Sequence, residues 1–371
     1  MSFVGYFAVD RGELLQRYRD QGLKLLGYIC SSTPEELFRA NGYVPIRIQP
    51  RYNGSYGGAD RFLPACVCSH GRSMLSGVLE GRYDSFDAFF FSSNCTTIRC
   101  LQYHFQRRYP DRVYSDFIVP TKAFDPEARE HLHRELRRLD QTLQAKPGHR
   151  ASVPLADVMA TYRENRRLMA EVSRLRGERH GLLSAEVMNE LYEYNTWVDK
   201  ETANPRIAAF VEQVAVAVDT RVTTTPTVFV LGNCCGNNAL LEVIDRRGCR
   251  IVGDLLSTGE TAFLDVPECD DPYASIALRL TEGIPCPAKL VAGAEHDAMV
   301  RSVQQRVKSS GADAVVLVRQ KFCDPHALER PYLLPRLREL GLPLLEIETD
   351  ADMGNIEQIY TRVDAFLEMF S

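Results

Sequence analysis

"ADAVVLVRQKFCDP", residues 312–325, decides the fold. Its first seven residues are small or branched and apolar, broken by a single acid. A continuous run of this kind, rather than a strict alternation, suits a strand covered on both faces, as in a parallel sheet. The chain then leaves the run at Cys323, beside an acid and a proline. A thiol therefore stands at the carboxyl end of a buried strand, which is where open α/β sheets bind their ligands.

The pattern around this strand repeats. Upstream, "TPTVFVLGNCCGNNALLEVIDRRGCRIVGDLLSTG" (225–259) reads as a strand, a Gly/Asn loop, a helix closing at Gly248 and a second strand. After a linker rich in Asp, Pro and Gly, "AGAEHDAMVRSVQQRVKSSG" is a helix. Downstream of Cys323 come a helix in "LLPRLRELG", a strand in "LPLLEIETD" and a closing helix in "NIEQIYTRVDAFLEMF". Nearer the N-terminus, "KLLGYIC" and "YVPIRIQ" read as strands flanking the helix "STPEELFRANG". Ser or Thr is its expected cap, Pro34 lies in its first turn and Gly42 just past its end. The segment 69–79 can be helical, "FDAFFFSS" is a buried strand, and Asn94 and Cys95 lead into another helix.

Residues 125–145, 155–177 and 184–200 read as helices. In the second, Leu155, Val158, Met159, Tyr162, Met169, Val172 and Leu175 fall near the 3.6 period, a stripe suited to packing between lobes. Strands alternating with helices predict parallel sheets joined by crossovers. The expected fold is α/β: two doubly wound, Rossmann- or flavodoxin-like lobes, 1–150 and 206–371, with a helical connector over 151–205.

Composition narrows the function. The 371 residues are 45% hydrophobic and 25% charged, as in an ordinary globular protein. The net charge of −5 gives no footprint for nucleic acid, and the basic stretch "HLHRELRRLD" (131–140) alternates with acids like a solvated helix face. No stretch approaches 18 uninterrupted apolar residues, so no membrane span is expected, and the first residues carry no signal-peptide pattern. A cytoplasmic protein is expected, with its eleven cysteines reduced.

Their spacing excludes the common metal frameworks. There is no CxxC pair for a zinc ribbon and no CxxCxxC for a ferredoxin, so any metal site is assembled from distant segments. Free cysteines are otherwise small core hydrophobes. "GNCCGNN" (232–238) lacks both the dinucleotide and the P-loop fingerprints. It reads as a tight glycine turn, with an anion site at the following helix as the alternative. Cys234 and Cys235 are expected to be buried thiols.

Several segments together resemble the 2-hydroxyacyl-CoA dehydratase and benzoyl-CoA reductase family. "GYICSSTPEELFRANGYVPIRI" is similar to its opening motif, and "LPACVCSHGRS" to its Leu-Pro-x3-Cys-x3-Lys/Arg-Ser motif, which selects Cys68, with Cys66 the alternative. "FFSSNCTTIR" is similar to its Ser/Thr-Cys-Asp segment, with Thr96 where Asp is common. "YRENRRLMAEVSRLR" resembles its helical connector, and "VRQKFCDP" and "TRVDAFLEM" its last two motifs. The resemblance covers most of the chain.

It implies a [4Fe–4S] cluster held by Cys68, Cys95 and Cys323, with one iron left open. Such a cluster passes one low-potential electron to an acyl-CoA thioester, giving a ketyl radical from which the 2-hydroxyl leaves. In the reductases the electrons enter an aromatic ring. The implied partners are an acyl-CoA substrate, a homologous second subunit forming a heterodimer, and an ATP-dependent iron–sulfur activator. A non-catalytic electron-relay or structural subunit, and a cysteine-rich protein without a cluster, are the alternatives. A further branch of the family carries a double-cubane cluster; Cys30 and Cys286 stand at plausible positions for it, but Ser257 in "LLSTGE" replaces an expected Cys. Glu260 stands where a basic residue is frequent. Ser31 and Ser32 are candidate catalytic hydroxyls near the thioester, with helix capping the plainer reading. His70 and His104 are candidate proton donors, with packing the plainer reading.

Overall fold

The computed structural model describes residues 2–50, 55–120, 122, 124–146, 153–219, 225–232, 239–264, 266, 269–289, 294–350 and 356–370. The Cys234–Cys235 pair and the loop 233–238 lie outside them.

The N-terminal half runs α1 (Arg11–Asp20), β1 (Lys24–Tyr28), α2 (Glu35–Ala40), β2 (Tyr43–Arg47), α3 (Ser69–Leu79), β3 (Ala88–Ser92), α4 (Thr96–Arg108), β4 (Val113–Phe117) and α5 (Pro126–Gln144). Three helices follow: α6 (Leu155–Glu178), α7 (Ala185–Trp197) and α8 (Lys200–Val216). The rest is β5 (Thr227–Gly232), α9 (Ala239–Arg246), β6 (Arg250–Leu255), α10 (Pro272–Leu278), α11 (Ala294–Ser309), β7 (Ala314–Gln320), α12 (Asp324–Arg338), β8 (Leu344–Thr349) and α13 (Ile356–Leu367). The strands form two four-stranded sheets, both wholly parallel, in the orders β2-β1-β3-β4 and β6-β5-β7-β8. The α/β class and the two doubly wound lobes expected from sequence are what the structure has.

Each sheet is buried on both faces because successive side chains point to opposite sides. In β3, Phe89 and Phe91 enter one apolar core while Ala88 and Phe90 enter another. In β7, Ala314, Val316 and Val318 face one core, and Val315 and Leu317 the other. Each fully buried Phe contributes about 1.5–3 kcal/mol by burial. Pro45, which has no N–H to donate, is tolerated because β2 is an edge strand.

Several elements differ from the sequence reading. The helix expected over 184–200 is α7, which stops at Trp197; α8 follows it as an unexpected helix, capped by Asp199, which accepts from the Thr202 N–H at 3.0 Å. Pro205 inside α8 disguises it as a break. α1, β4 and α10 are additional elements, the last within the stretch read as a linker. β4 is an edge strand with a mixed burial pattern, so its apolar signal is weak. α2 is not capped by a hydroxyl: Pro34 holds the cap position. Thr33 instead donates to the Cys30 carbonyl at 2.6 Å, and Ser32 accepts from Asn94 at 3.1 Å.

Two packing features position the lobes. α6 carries two fully or nearly buried basic residues, one at its middle and one near its C-terminal end. Arg166 pairs with Glu36 of α2 at 2.7 Å, and Arg176 with Asp254 of β6 at 2.8 Å. Ten residues of helix, about 15 Å, thus fix the distance between the two attachments. The second feature is a return of the chain. α5 presents Leu132 and Leu136 alongside Phe38 and Phe90, and α10 with the following π-helical turn covers them with Ile276, Ala277 and Leu280. A segment from the second half of the chain therefore docks on the first sheet, with Cys286 packed at the edge of that core.

Candidate functional site

The order β2-β1-β3-β4 changes winding direction between β1 and β3, and β6-β5-β7-β8 does the same between β5 and β7. Crevices at such switch points are the ligand sites of doubly wound sheets. Cys30 follows the end of β1 by two residues, Cys95 follows β3 by three and Cys323 follows β7 by three. The structure brings these three to one cavity of about 120 Å³, together with Cys68 and Cys286. Cys68, Cys95 and Cys323 are each the N-cap residue of a helix: α3, α4 and α12. Residues of the first turns, His70, Thr97, Ile98, Pro325 and His326, line the same cavity, so three helix N-termini face it. Their dipoles favour negative charge there.

Local features explain how the thiols are aimed. On α3, a Cβ at Gly71 would lie 2.2 Å from Thr97 Cγ2 of α4. Only glycine allows the two helices this close, and the approach sets the start of α3, with Cys68, against the start of α4, with Cys95. After β7, the Cys323 N–H donates to the Gln320 carbonyl at 3.3 Å, closing a tight turn through Phe322 at φ 60°. A non-glycine residue in the left-handed region costs about 1–2 kcal/mol, and the turn folds Cys323 back to the cavity. The Gln320 side chain donates to the Ser69 hydroxyl, tying the end of β7 to the residue after Cys68 across the lobes.

Burial dominates the electrostatics. It pushes the Cys95 thiol up to about 12, with the neighbouring thiols of Cys68, Cys30 and Cys323 adding to the effect. Burial and Cys30 likewise push Cys286 up to about 12, against the pull of Lys289. His70 and His326 are held down to about 4 by burial, helped by Arg47 and Arg319 respectively, so both are neutral at neutral pH. Glu329, one turn beyond His326, is pushed up to about 8 by burial. Asn94 lines the cavity, with its Nδ2 3.5 Å from Cys30 Sγ and its buried Oδ1 without a hydrogen-bond partner.

Other residues singled out from the sequence lie elsewhere. Ser31 and Ser32 are buried and are not among the described residues lining the cavity; Ser32 supports Asn94 from behind. Cys66 is exposed. His104 packs edge-on against Phe62, with ring centroids 5.6 Å apart, away from the cavity lining. Ser257 does line it, and its carbonyl and hydroxyl receive Arg47. Glu260 lies beside Arg176, at 3.5 Å, and contributes to the lobe joint. The residues that sequence reading passed over are Arg47, His326 and Gln320. Arg47 carried a usable signal: a charge inside an otherwise apolar buried strand needs a reason to be there.

Among the described residues, no three His, Cys, Asp or Glu side chains converge closely enough to hold a single metal ion. The thiols surround a volume instead of meeting at a point. Among the described residues no helix is long and apolar enough to cross a membrane.

Comparison with known proteins places the chain in a family. Residues 30–370 match the family described as 2-hydroxyglutaryl-CoA dehydratase, D-component. The chain is 23% identical over 360 residues to the (R)-phenyllactyl-CoA dehydratase beta subunit of Clostridium sporogenes, covering 96% of this chain and 94% of that one. It is 26% identical over 353 residues to the lactoyl-CoA dehydratase beta subunit of Anaerotignum propionicum, covering 94% and 92%. It is 25% identical over 355 residues to one of the benzoyl-CoA reductase subunits of Thauera aromatica, covering 94% and 91%. Matched from Cys30 almost to its last residue, the chain belongs to the 2-hydroxyglutaryl-CoA dehydratase D-component family.

Proposed function

We propose that this chain is the iron–sulfur subunit of a 2-hydroxyacyl-CoA dehydratase-type enzyme, a lyase, with Cys68, Cys95 and Cys323 holding a [4Fe–4S] cluster. The observation that carries the reading is the convergence of these thiols, from three separate helix starts, on one cavity between the sheets. The donor chemistry fits. A cluster bridged by its own sulfides takes one thiolate per iron, so its ligands ring a volume, whereas a lone ion needs them to meet. When bound, the cluster would supply one low-potential electron to an acyl-CoA thioester and an iron free of cysteine ligation.

The chain's own residues do the rest. Burial keeps the Cys95 thiol protonated in the metal-free chain, so taking up the cluster releases protons and is favoured as pH rises. The helix N-termini stabilise the resulting negative charge. His70 and His326, neutral and half-buried, help to line the cavity without adding cationic charge, and Ile29, Ile98 and Leu101 help to exclude water from it. Cys30 and Cys286 remain as further thiols on the same wall.

The relatives named as beta subunits support a second, homologous subunit, and their phenyllactyl-CoA and lactoyl-CoA names support a 2-hydroxyacyl-CoA substrate. An ATP-dependent activator that delivers the electron completes the proposal. A second reading, a component of an aromatic acyl-CoA reductase, is favoured by the likeness to the benzoyl-CoA reductase of Thauera aromatica. The test is an anaerobic assay of the chain with its homologous partner, activator and ATP. Conversion of a 2-hydroxyacyl-CoA to the 2-enoyl-CoA supports the dehydratase. Reduction of benzoyl-CoA with no dehydration would replace it with the reductase.

A further inference from the structure

Arg47 is the last residue of β2, and only 2% of its surface is exposed. Its Nε donates to the Ile29 carbonyl at 3.0 Å, its NH1 to the Ser257 carbonyl and its NH2 to the Ser257 hydroxyl at 3.0 Å. The guanidinium therefore crosses from the first sheet to the loop after β6 of the second. These three partners are all neutral oxygens. No carboxylate among the described residues forms an ion pair with it, and no Asp or Glu is among the described residues lining the cavity that it faces.

The other buried cations have a carboxylate partner or are not among the described residues lining the cavity. Arg166 and Arg279 share Glu36, and Arg176 has Asp254. Lys289 is tied to the Leu280 and Thr281 carbonyls and is not among the described residues lining the cavity. Among the described residues Lys200 and Arg250 are also buried and held by neutral groups, Asn195 for the first and Thr225 and His180 for the second, but neither lines the cavity. A buried charge without a counter-charge is strongly disfavoured. An imidazole is neutral or cationic, so His70 and His326 on the cavity wall supply no negative charge in either state. The remaining source of negative charge is what the cavity holds.

We infer that Arg47 is the counter-charge of the anionic centre bound between Cys68, Cys95 and Cys323, and that it raises the reduction potential of that centre. The inference rests on the proposed iron–sulfur site. A thiolate-ligated cluster is anionic before reduction and more so after it. A fixed cation beside it favours the reduced form. In the step concerned, a low-potential one-electron donor gives one electron to the centre; no bond breaks and no proton moves. Ser257 and Ile29 fix the guanidinium by neutral hydrogen bonds, leaving its charge to the cavity.

The experiment is a redox titration, followed by electron paramagnetic resonance, of full-length protein reconstituted anaerobically with iron and sulfide. Wild type, Arg47→Gln and Arg47→Lys are compared, each with iron and sulfide measured. Arg47→Gln is expected to hold at least tenfold fewer reduced centres per oxidised centre at the same potential, a fall of about 59 mV for one electron. Arg47→Lys, which keeps the charge, is expected to stay within threefold of wild type. Loss of iron in Arg47→Gln with retention in Arg47→Lys also supports the inference. Unchanged potential in Arg47→Gln at unchanged iron content overturns it, as does an equal fall in Arg47→Lys. Should Arg47→Gln not fold, Ser257→Ala loosens the clamp but keeps the charge, and a tenfold or larger loss of reduced centres there overturns the inference. Wild-type protein that takes up no iron at all refutes the iron–sulfur reading itself, a result distinct from every outcome above.

Discussion

The cavity and the two joints of α6 each gather ionisable side chains between the lobes, yet they are built oppositely. At the joint on the first lobe, Glu36 meets Arg166 at 2.7 Å and Arg279 at 3.2 Å, so charge is balanced within the chain. At the joint on the second lobe, Arg176 meets Asp254 at 2.8 Å, with the Tyr192 hydroxyl donating to the same carboxylate at 3.0 Å. In the cavity, thiols face one another and a lone guanidinium faces them without a carboxylate among the described residues. The contrast teaches what each region is for. Balanced buried charges hold the lobes at a set distance, whereas an unbalanced set of donors suits the proposed cluster site.

Separate losses would sharpen this comparison. The largest effect is expected from Cys323→Ser or Cys95→Ser: most of the bound iron is lost, with little change in the unfolding midpoint of the metal-free protein. Cys249→Ser, in the core of the second sheet, is the counterpart. Its iron content stays at the wild-type level, while the buried hydroxyl costs about 1–3 kcal/mol in denaturant unfolding.

Next in size is Arg166→Ala. Removing one partner of a buried pair costs about 3–5 kcal/mol, read from denaturant unfolding, and the protein that remains folded is expected to bind iron normally. Iron loss without destabilisation in this variant breaks the distinction between joint and cavity.

Gly71→Ala touches both. Its methyl meets Thr97, so the helices separate at a cost of about 1–3 kcal/mol, and iron affinity falls because Cys68 and Cys95 move apart. Equal iron affinity in this variant would show that the helix approach does not set the thiol spacing.

The smallest effect is a pH dependence of opposite sign at the two joints. Burial pulls the Glu36 carboxyl upwards, but Arg279 and Arg166 outweigh it and hold it below its ordinary 4.5. Its contribution is present above 4.5 and is lost as pH falls through the depressed value. Glu260, at the other joint, is pushed up to about 7 by burial and by Asp254, against Arg176. Its contribution is full below 4.5 and is lost as pH rises to about 7. Glu260→Gln is therefore expected to flatten the fall in unfolding midpoint between pH 4.5 and 7, and a fall as steep as wild type counts against this assignment.

Much of the fold was legible because its central strands are buried on two faces. "AFFF" and "AVVLV" are unbroken apolar runs, a signal that survives without tertiary information. β4 is a half-exposed edge strand, and α8 contains Pro205, so local pattern argues against both. The site was legible only in part. Thiols at the ends of β3 and β7 follow from strand positions. Cys30 and Cys286 meet because α10 returns to cover α5, a contact between residues more than a hundred positions apart in sequence. The hydroxyls of Ser32 and Thr33, placed by sequence at a helix cap, are drawn off by Asn94 and the Cys30 carbonyl. Arg47 shows itself only once Ser257 is seen across the cleft.

The most direct test of the central claim is the iron and acid-labile sulfide content of the full-length protein, purified and reconstituted without oxygen. Iron and sulfide in equal amounts, about four of each per chain and falling in Cys68→Ser, is the predicted result. A chain that binds no iron, or one ion without sulfide, contradicts it.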